Sequence, residues 1–133
     1  MGEQDQGGRT ALHYAALSND VTEAERRLAA GDDPNGADHE GFTPLHFAAQ
    51  EGSLDVARLL LDHGAAVDPT NQSGNTPLFT AVFNSRGEGA LIELLKASGA
   101  DPVHMNESGQ TPAGLARLIG NFDVAQFFAD VPS

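Results

Sequence analysis

The sequence predicts an all-α solenoid of four helix–turn–helix units with projecting β-hairpin loops, forming one domain over residues 1–133. Three observations predict it. First, Gly41-Phe42-Thr43-Pro44-Leu45-His46-Phe47-Ala48-Ala49 has a near copy at Gly8-Arg9-Thr10-Ala11-Leu12-His13-Tyr14-Ala15-Ala16, and shorter copies begin at Gly74 and Gly109. The glycines thus recur at intervals of 33, 33 and 35 residues. Second, another marker keeps step: Gly31-Asp32-Asp33-Pro34, Gly64-Ala65-Ala66-Val67 and Gly99-Ala100-Asp101-Pro102. Third, the core is thin. Leu, Ile, Val and Phe make up 30 of 133 residues, while Ala alone supplies 20. That large-apolar share lies just above the roughly 20% level below which a highly charged chain stays disordered. Short helix pairs cannot bury a face alone, but stacked pairs share one elongated core, and Ala lets their backbones approach closely.

The units are expected at about 5–37, 38–70, 71–105 and 106–133. The second unit is the clearest. Thr43 stands at an N-cap and Pro44 at the first helical position, where a missing N–H costs nothing. Leu45, Ala48 and Ala49 then share one helical face. Glu51-Gly52-Ser53 breaks the helix. Leu54, Ala57 and Leu61 form the stripe of the next helix, widened by Val56, Leu59 and Leu60. Gly64 follows as a C′ residue of positive φ. The polar stretch to Gly74, with Pro69, reads as a turn or hairpin. In the first unit Ala11 stands where the second has Pro44, and the second helix carries Glu23, Arg26 and Arg27, as suits an end open to water. The third has Phe79 where His13 and His46 precede it. Its inter-helix turn, Asn84-Ser85-Arg86-Gly87-Glu88-Gly89, holds the two extra residues. The fourth has Ala113-Gly114, which predicts a weak first helix, and ends on Phe122, Val124, Phe127 and Phe128, some of which must face inward.

Nineteen acids against seven bases give a net charge of −12. Nucleic acid is therefore excluded as the expected ligand, since phosphate binding needs clustered Lys and Arg. No run approaches 18 apolar residues, so no membrane span is expected. Met1 to Thr10 lacks an apolar stretch, so no secretory leader is expected and the expected compartment is the cytoplasm. With no Cys, disulfides, thiolate catalysis and Cys-zinc sites are all removed. The acids fall off along the chain: residues 1–40 carry nine acids and three bases, residues 41–73 four and one, residues 74–108 four and two, and residues 109–133 two and one.

No catalytic site, metal site or cofactor is expected. His13 and His46 stand 33 residues apart, and each is expected to hydrogen-bond its own Thr (Thr10, Thr43) and loop backbone rather than a metal, which needs three or four convergent ligands. His39, His63 and His104 are expected at the surface. Thr, His and Asp recur because the unit recurs, not because one nucleophile is singled out. Lys96, the single lysine, lies late in a helix and suits the helix dipole. Asp32, Asp33, Asp38 and Glu40 lie within nine residues without a base. Pro34 breaks any calcium-loop pattern. Two readings stay open for them: a solvated hairpin tip, or an acidic recognition edge.

With a 33-residue period and Thr43-Pro44-Leu45-His46 opening a helix, together with Leu59-Leu60-Leu61-Asp62-His63-Gly64-Ala65, the chain resembles the ankyrin repeat family over about Asp5 to Ala129. The resemblance implies an L-shaped stack and a non-catalytic, protein-binding scaffold. It places partner contacts on the hairpin tips (Gln6, Arg9, His39, Glu40, Phe42, Gln72, Ser73, Asn75, Glu107, Gln110) and the first-helix ends (Leu17, Ser18, Gln50, Glu51, Phe83, Asn84, Leu118, Ile119). Phe42 and Phe83 are the aromatic candidates among these, with Phe42 ranked first. The irregular turn adds Arg86 and Glu88, which give it reach.

The expected partner is a protein with a basic patch, met by a monomer and leaning toward the acidic N-terminal half. One version is an acidic antitoxin or immunity protein covering a cationic toxin. Low Lys with high Ala, Gly and Asp suits a GC-rich bacterial genome. Rivals are a subunit or fragment of a larger scaffold, and a structural spacer or self-associating protein.

Overall fold

A computed structural model describes residues 5–85, 89–119 and 122–131. Among these residues lie four helix pairs. They are α1 (Ala11–Ser18) with α2 (Val21–Ala29), α3 (Pro44–Glu51) with α4 (Leu54–Asp62), α5 (Pro77–Phe83) with α6 (Ala90–Ala97), and α7 (Pro112–Leu118) with α8 (Phe122–Ala125). A 3₁₀ turn, Gln126–Phe128, follows α8. The first helices stack in one row, α1 on α3 on α5 on α7, and the second helices α2, α4 and α6 form another.

The first helices start where the sequence says they should. Thr10, Thr43, Thr76 and Thr111 are N-caps whose side chains accept from the backbone N–H three residues on. That satisfies one of the donors every helix start leaves open. The weak start expected of the fourth unit still forms a helix, because Thr111 caps it and Ala113, Leu115 and Ala116 are buried. Alanine does the close work: Ala16, Ala24, Ala48, Ala57 and Ala116 have no exposed surface.

In α4 the buried set is Val56, Ala57 and Leu60, while Leu54, Leu59 and Leu61 pack at its margin. The expected stripe through Leu54 and Leu61 is therefore rotated by part of a turn. Gly64 is a C′ residue at φ +90. Its N–H bonds the Leu61 carbonyl and the Ala65 N–H bonds that of Leu60, a Schellman closure.

The loops differ from expectation. Among the described residues no segment is a β-strand, so the expected β-hairpins are tight turns. Side chains take the backbone donors that a strand would present. Oδ1 of Asp5, Asp38, Asn71 and Asn106 each accepts from the N–H two and four residues on, at 2.8–3.1 Å. Adjacent turns are then joined by single backbone bonds: His39 N–H to Gly7 O, Gln72 N–H to Glu40 O, and Glu107 N–H to Ser73 O. Gly41 is needed at such a junction. Its φ is +85, and a Cβ there would lie 2.8 Å from Asn71 Cα.

The C-terminal unit is held from α6. Gly89 leaves room for the Phe127 ring, which a Cβ would strike at 1.9 Å. Phe128 and Val124 are fully buried, as an inward-facing set. Lys96 Nζ donates to the Phe127 carbonyl, lies 3.4 Å from Asp130 and sits 5.1 Å above the Phe128 ring. No described helix is long and apolar enough to cross a membrane.

Candidate functional site

Each of the first two units sends a histidine into the next. Thr10 N–H donates to His13 Nδ1 at 3.1 Å, which assigns the ring proton to Nε2, and Nε2 donates to Phe42 O at 2.9 Å. The second unit repeats this with Thr43, His46 and Asn75 O, the last at 2.8 Å. Both rings are buried, and burial pushes both pKa values below the ordinary histidine value. The local hydrogen bonding expected of these histidines is what the structure shows.

At the third junction the pattern stops. Phe79 fills the histidine slot, and a phenyl ring has no proton to donate. The carbonyl equivalent to Phe42 O and Asn75 O is that of Gln110, which among the described residues accepts from Asn106 N–H alone. Beside this junction opens a groove of about 480 Å³ between the turns and the first helices. Phe42, Phe79, Phe83 and Leu115 supply its apolar surface. Gln50, Asn71, Ser73, Asn75, Thr80, Asn84, Asn106, Ser108 and Gln110 supply uncharged polar groups. Among the described residues no charged side chain lines it. Of the described charged neighbours along the chain, Glu40, Glu51 and Glu107 are acids, and Arg117 is a base whose guanidinium donates to the Phe128 and Val131 carbonyls.

Seven of the twenty sequence-expected contact residues meet here: Phe42, Gln50, Ser73, Asn75, Phe83, Asn84 and Gln110. His39, Glu40 and Gln72 lie exposed on the turns outside it. Glu51 is exposed at the end of α3, on an adjacent hollow between α3 and α6. Arg86 and Glu88 lie outside the described residues.

The two aromatics differ in exposure. Phe42 is half-buried, stacked on Phe47 at 5.4 Å and edge-on to His46 at 5.5 Å. Phe83 is 68% exposed. The cluster of N-terminal acids is also largely occupied. Asp32 pairs with Arg27 at 2.8 Å. Asp38 is buried and lies 3.4 Å from Arg9. Asp33 accepts from Asn35 N–H. Glu40 is the acid of that set left open, touching only Gln72 at 3.4 Å.

Sequence reasoning missed Phe79 and Leu115 as groove residues and missed the turn-closing column Asp5, Asp38, Asn71 and Asn106. The signal for the column was present, since these residues recur at the same 33, 33 and 35 intervals as the glycines.

A family model described as ankyrin repeats (3 copies) matches residues 1–70 and, again, residues 22–106. The chain belongs to the ankyrin repeat family. Proteins of this family are generally protein–protein interaction modules and typically non-catalytic. A comparison with curated proteins finds no significant match.

Proposed function

We propose that the chain is a non-catalytic module that binds a protein with a basic surface, through its turns and the groove beside the first helices. The observation that carries this is the groove itself, apolar at its base, uncharged along its described walls and neighboured along the chain by the exposed acids Glu40, Glu51 and Glu107. A net charge of −12 supports a basic partner, because opposite fields speed encounter and make it sensitive to salt. The same charge supports a second, narrower reading: an acidic immunity protein or antitoxin, in a GC-rich bacterium, covering a cationic toxin. A role as one subunit of a larger ankyrin scaffold would use the same surface.

The test is capture from a lysate of the source organism at low salt, followed by a wash at about 0.5 M NaCl, where the screening length falls to a few ångströms. The expected result is a retained basic protein that the wash releases. An acidic retained protein, or none, overturns the reading.

A further inference from the structure

We infer that the groove holds one extended segment of the partner, carrying a large apolar side chain with a Lys or Arg close beside it. This rests on the protein-binding reading above. The anchor follows from Phe83. A phenyl ring 68% exposed, next to Phe79 and Leu115, gives an apolar side chain a place to lose water.

The extended backbone follows from the polar groups. Gln110 O has one lone pair unused, in the slot where the earlier junctions receive a histidine N–H. A peptide N–H is the equivalent donor. Asn84 uses its Nδ2 on Thr80 O and leaves Oδ1 without a partner. Asn75 accepts through Oδ1 from Asn106 and leaves its amide hydrogens unpaired. Neutral donors and acceptors of this kind match peptide groups. A buried charge would find no counter-charge among the lining residues.

The base follows from the acids at the flanks and from the net charge of −12. Glu51 and Glu107 stand beside lining residues, no Lys or Arg is among the described lining residues, and Arg117, two residues from Leu115, donates to the Phe128 and Val131 carbonyls. A volume of about 480 Å³ falls in the roughly 300–1,000 Å³ range of sites that enclose small ligands. It has room for a short stretch of chain and none for a folded domain.

The experiment selects random linear dodecapeptides, displayed on phage, against the immobilised full chain. The enriched peptides are then titrated by fluorescence anisotropy. We expect a shared Leu, Met or Phe next to Lys or Arg, without acids. Phe83→Ala should weaken binding about tenfold or more. Its exposure means the melting temperature should hold. Phe79→His restores the missing donor, occupies Gln110 O and should also weaken binding without lowering stability.

Four results overturn the proposal: no enriched peptide, an acidic or wholly polar consensus, binding indifferent to Phe83→Ala, or sedimentation showing a dimer that Phe83→Ala dissociates, which makes a second copy the occupant. The two proposals fail differently. If the lysate partner is retained equally by the wild-type chain and by Phe83→Ala, protein binding stands and the groove assignment falls. If nothing is retained, the broader reading falls.

Discussion

A ring nitrogen that accepts a hydrogen bond cannot also carry a proton. Nδ1 of His13 and of His46 accepts from a Thr N–H, so protonation of either ring breaks the cap it completes. Burial already holds both pKa values below the ordinary value of about 6.5. A folded pKa lower than the unfolded one gives stability that is fully present above the unfolded value and is lost as pH falls through the folded value. The melting temperature should therefore be flat from pH 8 to about 6.5 and decline below it. Asp68 acts in the opposite sense in a lower window. Burial raises its pKa, so its protonation favours the fold as pH falls toward the ordinary carboxylate value of about 4. Ring-proton NMR checks the assignment, since His13 and His46 should titrate below the ordinary value. If either titrates at or above that value, the neutral, twice-bonded ring is wrong.

At the scale of the element, each turn depends on one side-chain oxygen. Asn71 Oδ1 accepts from Ser73 N–H at 3.0 Å and from Asn75 N–H at 3.1 Å, in a position only 9% exposed. Alanine there leaves two backbone donors unpaired, a cost on the order of 2 kcal/mol. Aspartate offers the same acceptor and already stands at the equivalent Asp5 and Asp38. Urea denaturation should thus rank Asn71→Asp close to the wild type and Asn71→Ala well below it; equal midpoints for both would deny the turn its side-chain closure. The helices were legible in the sequence because their starts are local. Thr-Pro at residues 43–44 and Gly64 each act within a few residues, and the 33-residue interval multiplies the signal. The turns were less so. A polar stretch between glycines fits a hairpin as well as a side-chain-closed turn, and the choice is made by Oδ1 atoms that compete for the ladder's donors. Half of the groove was legible for a related reason. Phe42 and Phe83 stand out as aromatics among polar neighbours. Phe79, by contrast, became significant only when His13 and His46 were seen reaching across to the next unit. Likewise, the acidic cluster near Asp38 reads equally as a solvated tip or a recognition edge from sequence, because its contacts with Arg9 and Arg27 depend on the fold.

Across the whole molecule, the main contacts run between adjacent units, α1 with α3, α3 with α5, α5 with α7, α2 with α4 and α4 with α6, so the stack's stability is a chain of junctions. Those junctions are unequal. The first and second each have a buried histidine bond to the next turn, while the third has Phe79 and an underused carbonyl at Gln110. A net hydrogen bond contributes about 1 kcal/mol, several-fold in an opening equilibrium. What secures the fourth unit instead comes from outside its own helices. Asn106 Nδ2 donates to Asn75 Oδ1 at 2.7 Å, and Lys96 binds the chain beyond α8, a helix of four residues. The stack should therefore open from its C-terminal end first. Native-state hydrogen exchange reads this directly: amides of Leu115 and Ala116 in α7 should exchange faster than those of Ala48 and Ala49 in α3. Lys96→Ala should speed exchange in α7 while leaving α3 unchanged, because the contact it removes ties the fourth unit to α6 and does not touch α3. Phe79→His should slow α7 by supplying the absent bond. If exchange is uniform along the chain, or if Lys96→Ala loosens α3 as much as α7, the four units open together and the unequal junctions have no energetic meaning. A weaker last junction also bears on recognition. The groove lies where the stack is least tied, so a segment that bonds Gln110 O while resting on Phe83 would supply the missing link, and its binding should slow α7 exchange more than that of α3.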